Sequence, residues 1–361
     1  MIPRLHKTNK ILAINFGGIG DEVLFLPTLK TLREAYPKAH ITLLLEARSR
    51  SIEQITDLID ETITFDIKKR PLYLADIVEL VRLIQDGEYE LVLSSGSSKM
   101  VSILLFLGGS NWRIGYDSGP LSRLLLTHPV KLNRDLYASD MYHDLAVGLV
   151  ESAARNGSTT VPEIHIPPAS MARMEEFLRD SDTKSGASKI LLHPGTSRLA
   201  IEKGIIKTWE IDDWVALINK LDRDPDCQPI LAGGPDDTEI IEEIQAKLPS
   251  TTKLISSAGK TKSLADLAAL TKLCDLLVCV DSAPMHIAVG ARKPVVAMFG
   301  PTDEAKLLPK HPHFIALRAA TASQPTLAVR GVQLPPDDVY QSVRCLLKES
   351  KDQGSSLALH H

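Results

Sequence analysis

Ile11-Leu12-Ala13-Ile14-Asn15-Phe16 runs straight into Gly17-Gly18-Ile19-Gly20-Asp21, and Glu22-Val23-Leu24 then opens a stretch of helical period that lasts to Tyr36. A short apolar run that ends in a glycine turn and a helix start is the opening of a βαβ unit, the building block of a parallel sheet covered on both faces. The alternation continues outward. Further strands are expected at Ile41–Leu45, Thr62–Phe65 and Glu90–Ser94, with helices at Val23–Tyr36, Ser49–Leu58 and Leu74–Gln85. After Gly96, Met100–Leu107 reads as a buried helix and His128–Leu132 as one more strand.

A Pro-containing linker, Val161–Pro168, precedes a fresh helix at Ser170–Leu178, for which Ser170 is the expected N-cap. The alternation then restarts, with strands at Lys189–Leu192, Pro229–Ala232, Lys253–Ile255, Leu276–Val280 and Val295–Phe299. Helices are expected near Ile211–Leu221, Asp237–Leu248, Leu264–Leu273 and Pro284–Gly290. The fold class is therefore α/β, with two doubly wound domains, 1–166 and 167–335, facing each other across a cleft. A last helix, Pro336–Lys348, suits packing on either domain, and the small and polar residues of 349–361 are expected to be disordered.

At 361 residues the chain has room for two domains of about 150 residues each. Its 44% hydrophobic and 24% charged residues exclude a disordered or collagen-like chain. Lys and Arg number 41 against 45 Asp and Glu, a net charge of −4 that offers no global attraction to nucleic acid, so any basic site must be local. Cys227, Cys274, Cys279 and Cys345 form no CxxC pair, which argues against a metal site or a disulfide framework. The start of the chain lacks the features of a signal peptide, and no run approaches the ~20 apolar residues of a membrane span. The expected location is cytoplasmic, with a peripheral contact at the inner face of the cytoplasmic membrane left open.

Open parallel sheets bind ligands at the carboxyl ends of their strands, so the loops there hold the candidate chemistry. In the first, Gly18 and Gly20 allow close backbone approach, and Asp21 is either a helix cap or a base placed to deprotonate a hydroxyl. In the second half, His193-Pro194-Gly195-Thr196-Ser197 offers hydroxyls and N–H groups to a phosphate. Lys207-Thr208-Trp209 follows; its lysine is either a solvated surface charge or a diphosphate partner, and Lys203 competes for the role. Gly233-Gly234-Pro235-Asp236-Asp237 is either a plain turn or a nucleotide loop whose carboxylate accepts from ribose. Asp281-Ser282-Ala283-Pro284-Met285-His286 joins a buried strand to a helix N-terminus suited to a phosphate, with His286 one turn in, as a structural residue or a ligand contact. Gly300-Pro301-Thr302 is another small-residue loop.

GGIGD, HPGTS, Lys-x-Trp, GGPDD, DSAPMH and FGPT, in this order over Ile11 to Pro309, resemble the ADP-heptose:lipopolysaccharide heptosyltransferases, glycosyltransferase family 9. The resemblance implies a GT-B architecture, the acceptor held by the first domain and the donor mainly by the second. It implies inverting sugar transfer without an obligatory metal or other cofactor, and these loops contain no Asp-x-Asp. Asp21 matches the base, Lys207 the diphosphate contact, Asp236 the ribose contact, and Asp281, Ser282, Ala283 and His286 the donor phosphates and sugar. The donor implied is a nucleotide-diphosphate sugar, an ADP-sugar first, and the acceptor a saccharide or glycolipid. Ala283 stands where the family usually has Gly, so its methyl group is expected to crowd the donor or to bar a positive φ. Arg113, Arg123, Lys131 and Arg134 are candidates to meet an anionic acceptor or form a solvated face, and Trp112 and Tyr116 to stack on sugar or fill the core. A non-catalytic nucleotide-sugar-binding relative and a GT-B-like sugar-nucleotide epimerase are the competing readings.

Overall fold

The computed structural model describes residues 8–67, 73–147, 149, 158–319, 325–326 and 328–357. The chain forms two compact units that divide between His165 and Ile166. The first contains β1 (Lys10–Asn15), α1 (Ile19–Ala35), β2 (His40–Leu45), β3 (Glu61–Thr64), α2 (Leu74–Asp86), β4 (Leu91–Ser94), α3 (Lys99–Leu107), β5 (Trp112–Tyr116), α4 (Pro120–Leu125), β6 (His128–Val130) and α5 (Ala138–Val147). The second contains α6 (Pro168–Asp180), β7 (Ser188–His193), α7 (Arg198–Glu202), α8 (Ile211–Arg223), β8 (Cys227–Leu231), α9 (Thr238–Lys247) and β9 (Ile255–Ser256). It continues through α10 (Leu264–Leu273), β10 (Leu276–Val280), α11 (Ala283–Gly290), β11 (Val295–Phe299), α12 (Glu304–Leu307), β12 (Phe314–Arg318) and α13 (Pro336–Leu357).

Each unit is built on a six-stranded parallel sheet, ordered β3-β2-β1-β4-β5-β6 in the first and β12-β11-β10-β7-β8-β9 in the second. Counted from each unit's own first strand, both orders are 3-2-1-4-5-6, the doubly wound Rossmann order. The order reverses beside β1 in one unit and β7 in the other. The loops after β1 and β4, and after β7 and β10, therefore diverge and leave a crevice at the carboxyl edge of each sheet. Central strands are buried on both faces, as in Ile11 and Leu12 of β1 and Leu191 and Leu192 of β7, where successive residues point to opposite faces and none is exposed. This is why they read as continuous apolar runs rather than alternating ones.

Several expectations are corrected. Phe16 lies outside β1, and Ser49–Leu58 is replaced by a 3-10 helix, Ala47–Ile55, whose buried Ser49, Ile52 and Ile55 repeat every third residue, the 3-10 period. Ser170 is not an N-cap: α6 starts at Pro168, whose fixed φ suits a first helical turn, and the Ser170 hydroxyl accepts from Arg173 Nη2 at 2.8 Å. β5, buried over its last three residues, and the partly exposed β12 each pair in register and add strands to those expected. The α3 helix is only partly buried, since Met100, Phe106 and Leu107 are exposed. Helix α13 packs on the second unit, where Val339, Val343, Leu346 and Leu347, at i, i+4 and i+7/i+8, join Trp214, Leu217 and Leu221 of α8 in one core. The helix runs to Leu357 rather than stopping at Lys348, because nothing in Glu349–Gln353 breaks a helix. Residues 358–361 lie outside the described residues.

Candidate functional site

In the first unit the crevice lies between the β1 and β4 loops. α1 begins at Ile19 with Gly18 as its N-cap, so Asp21 is the third helical residue and its Oδ2 accepts from Gly18 N at 2.8 Å. Its other oxygen, Oδ1, accepts from the Tyr142 hydroxyl at 3.2 Å. Tyr142 is delivered by α5, which packs on α1 with the Phe25 and Tyr142 rings edge to face at 5.9 Å. Burial, with the Asp21 charge beside it, pushes the phenol well above its usual range, so Tyr142 stays protonated and donates. The carboxylate is thus a helix cap and, at the same time, a half-buried anion at the mouth of the crevice, oriented by two neutral donors. Gly17 makes this possible: a Cβ there would sit 2.2 Å from Asp21 Cβ. Gly18 and Gly20 have no positive φ, and Gly20 lies within the first turn of α1. On the β4 side, Ser95 Oγ donates to Asn15 Oδ1 at 2.5 Å and joins the two loops.

In the second unit the crevice lies between the β7 and β10 loops. Lys207 Nζ stands 2.6 Å from Asp281 Oδ2, with side chains 19% and 4% exposed. Thr302 Oγ1 donates to the same oxygen at 2.7 Å. Asp281 directly follows β10, and its N–H donates to Met298 O of β11 at 3.1 Å. The lysine is set by its backbone neighbours: Gly331 N donates to Ile206 O at 3.0 Å and Val332 N to Thr208 O at 2.8 Å. Trp209 anchors this strap, its indole N–H donating to Leu334 O at 3.0 Å and its ring meeting Trp214 edge to face at 5.1 Å. The Thr302 loop is clamped by Arg318, which donates to the carbonyls of Gly300 and Thr302 and pairs with Glu304 Oε2 at 2.5 Å.

Ser282 and Ala283 are half-buried at the start of α11, where the Ser282 hydroxyl donates back to Val280 O at 3.2 Å rather than capping the helix. Ala283 is the first residue of α11 and has no positive φ, so the conformational obstacle expected of its methyl group does not arise. His286 is buried in the same helix. The helix N-terminus therefore stands beside an ammonium group already held by a carboxylate. Such a place can receive a phosphate through N–H groups, helix dipole and lysine together.

The remaining sequence candidates divide. Thr196 is half-buried, whereas Ser197 is exposed as the N-cap of α7, and Lys203 is exposed at that helix's other end. Gly234 is the half-buried N-cap of a short 3-10 turn, and Asp236 on that turn is exposed. Its neighbour Asp237 turns inward, accepts from Gly234 N at 2.8 Å, and lies 3.6 Å from His193 Nε2. Burial pushes the His193 imidazole below its usual range, against the pull of the Asp237 carboxylate. Gly195 packs so closely on Asp237 that a Cβ would meet its Oδ1 at 1.8 Å. Arg113 does not offer its charge to a ligand: its guanidinium donates to Leu125 O and Ser110 O. Tyr116 is buried with its hydroxyl on Met141 O at 2.8 Å, and half-buried Trp112 lies against His128. Thr302, Arg318 and Tyr142 were not singled out as site residues. FGPT flagged the loop of Thr302, but nothing local connects it to Asp281, and Arg318 and Tyr142 arrive through tertiary packing alone. Among the described residues no group of three His, Cys, Asp or Glu is placed to hold a metal ion.

Comparison with known proteins identifies the fold and the family. A Lipopolysaccharide heptosyltransferase 3 from Escherichia coli is 27% identical over 292 residues, covering 79% of this chain and 81% of that protein. A glycosyl transferase family 9 structure from Veillonella parvula DSM 2008 matches with a TM-score of 0.74 at 24% identity, over 94% of this chain and 97% of the other. The E. coli ADP-heptose LPS heptosyltransferase II structure matches at 0.72 and 22%, over 94% and 99%. The two Rossmann-like units are those of the GT-B fold. With the model of "Glycosyltransferase family 9 (heptosyltransferase)" matching residues 77–331, the chain belongs to glycosyltransferase family 9.

Proposed function

We propose that the protein transfers a heptose or a related sugar from a nucleotide-diphosphate donor, an ADP-sugar first, to a saccharide acceptor of the lipopolysaccharide type. The observation that carries the reading is the Lys207–Asp281 pair, 2.6 Å long, beside the N-terminus of α11 at the carboxyl edge of β10. A leaving diphosphate gains negative charge as its bond to the sugar breaks. A preorganised ammonium and a helix dipole stabilise that charge more than the ground state, which is the requirement for lowering the barrier. Asp281 and Thr302 act as positioning residues, holding Nζ before the anion arrives. Asp21 takes the proton of the acceptor hydroxyl, whose oxygen attacks the anomeric carbon while the diphosphate departs from the opposite face, so configuration inverts. Tyr142 keeps the carboxylate oriented. The names of the relatives support heptose as the first sugar to test.

Thermal denaturation with nucleotides tests the donor assignment, because a ligand selective for the folded chain raises Tm by mass action. ADP and ADP-heptose are expected to stabilise more than UDP, GDP or their sugars, and equal stabilisation by all would overturn the choice of nucleotide. Asp21→Ala should abolish transfer and retain ADP binding. Binding without turnover on any acceptor would favour a non-catalytic relative, and release of a free altered sugar without acceptor would favour an epimerase.

A further inference from the structure

Among the described residues, the exposed large apolar side chains, Ile201 apart, all lie between Tyr73 and Leu124. They belong to three neighbouring helices of the first unit. Leu74 and Val78, one turn apart on α2, are 76% and 41% exposed and border a groove of about 530 Å³. Met100, Phe106 and Leu107 stand out from α3, and Leu121 and Leu124 from α4, the last 79% exposed. The helices are joined into one surface. Gln85 Nε2 of α2 donates to Leu107 O of α3 at 2.8 Å, and Arg113 lies 5.6 Å from the Phe106 ring while donating to Leu125 O of α4. A soluble surface seldom leaves so many aliphatic groups together unless something covers them.

The charge of the region indicates what covers it. From Ser95 to Arg134, the stretch that holds α3 and α4, the chain carries Lys99, Arg113, Arg123, Lys131 and Arg134 against a single acid, Asp117, whereas α2 carries Asp76, Glu79 and Asp86 against Arg82 alone. Lys99, Lys131 and Arg134 are exposed, and Asp117 is paired with Arg123 at 2.6 Å. Lys99 is the first residue of α3, where the helix dipole disfavours a cation, so an external anion would relieve a local electrostatic cost. Protruding aliphatics among unpaired bases complement the acyl and headgroup layers of an anionic bilayer. We propose that the α3–α4 face is a membrane-docking surface, with the apolar side chains entering the headgroup boundary and the bases meeting anionic lipid. α3 starts at the carboxyl edge of β4, the same edge that carries Asp21. Docking there would present a lipid-linked hydroxyl to the crevice of this unit. That last link rests on the transferase reading, whereas the docking does not.

Vesicle flotation of the full chain, without donor or acceptor, tests the docking separately from the chemistry. The protein should float with phosphatidylcholine vesicles containing phosphatidylglycerol, far less with phosphatidylcholine alone, and less as salt is added. The double variant Leu121→Ser/Leu124→Ser, at exposed positions, should keep the wild-type Tm and lose about tenfold or more of the bound fraction. Lys131→Gln/Arg134→Gln should weaken binding to the anionic vesicles and leave the weak binding to neutral ones unchanged. Absence of wild-type flotation, equal binding to both vesicles, or serine variants that float like the wild type would overturn the proposal. So would a wild-type dimer that the serine variant converts to monomer, which would assign the face to a second copy of the chain.

Discussion

Gly17–Asp21 and Gly233–Asp237 are the same local device used twice. Each follows a sheet strand with two glycines, caps a helical turn with the second, and returns the carboxylate of the third helical residue to that glycine's N–H at 2.8 Å. They differ in what the carboxylate meets beyond the cap. Asp21 receives only neutral donors and remains half-buried beside β1, next to the strand-order reversal. Asp237 is buried against His193 and Gly195 after β8, one strand further out. Capping therefore does not separate Asp21, proposed as the base, from its structural counterpart Asp237. The position of the strand in the sheet and the partner of the second oxygen do.

The sharpest way to break the comparison is to neutralise each carboxylate without removing its acceptor oxygen. Asp21→Asn should keep the cap and lower kcat by roughly 10²–10⁴-fold with donor affinity unchanged. Asp237→Asn should leave kcat within a few-fold and be read mainly in Tm. Equal kinetic losses would erase the distinction. Next in size, Lys207→Met should weaken ADP binding by about 10–100-fold, the range of a charge-assisted hydrogen bond, with much less effect on adenosine. It also strands buried Asp281, so part of the Tm it loses should return in Lys207→Met/Asp281→Asn. Parallel losses for ADP and adenosine would make Lys207 a purely structural residue.

A smaller effect separates the two glycines of the first loop. Gly17→Ala forces a Cβ to 2.2 Å from Asp21 and should cost roughly 1–3 kcal/mol in denaturant unfolding, whereas Gly18→Ala meets nothing nearer than Arg48 Nη1, the far end of a long side chain, at 3.3 Å and should cost far less. Smallest is the pH effect at His193. Because burial lowers its folded-state value, the unfolded chain takes up this proton first as pH falls through ~6.5. The contribution is complete above that point and declines below it until the folded-state value is reached. Tm measured from about pH 7 to 5 should fall less steeply in His193→Gln than in the wild type. Identical slopes would show that the Asp237 carboxylate fully offsets the burial.

The legible parts of the sequence were those in which one stretch of chain contains its own explanation. The central strands announced themselves because they are buried on both faces, and the loops at their carboxyl ends because glycine and proline punctuate them. The edge strand β12, Phe314–Arg318, is only partly buried, and its short apolar run follows a His- and Pro-containing segment with none of the glycine punctuation that marks the central strands. In the β8 loop the sequence does not distinguish Asp236 from Asp237. The helical phase does, by turning the third residue of the turn inward and the second outward. Tyr142 and Arg318 were invisible for a different reason: each reaches its partner only after a helix or strand distant in sequence has packed, as α5 on α1 and β12 on β11.

The strap that sets Lys207 is tied to residues 331–334, and α13 beyond them shares a core with α8. Exchanging donor halves between relatives to alter nucleotide choice therefore cannot stop where the family match stops, at residue 331. A graft cut there would carry the lysine but replace Val332, Leu334 and the α13 side chains that pack with Trp209 and Trp214 beneath the strap. The transferable unit for the donor end runs through Leu347.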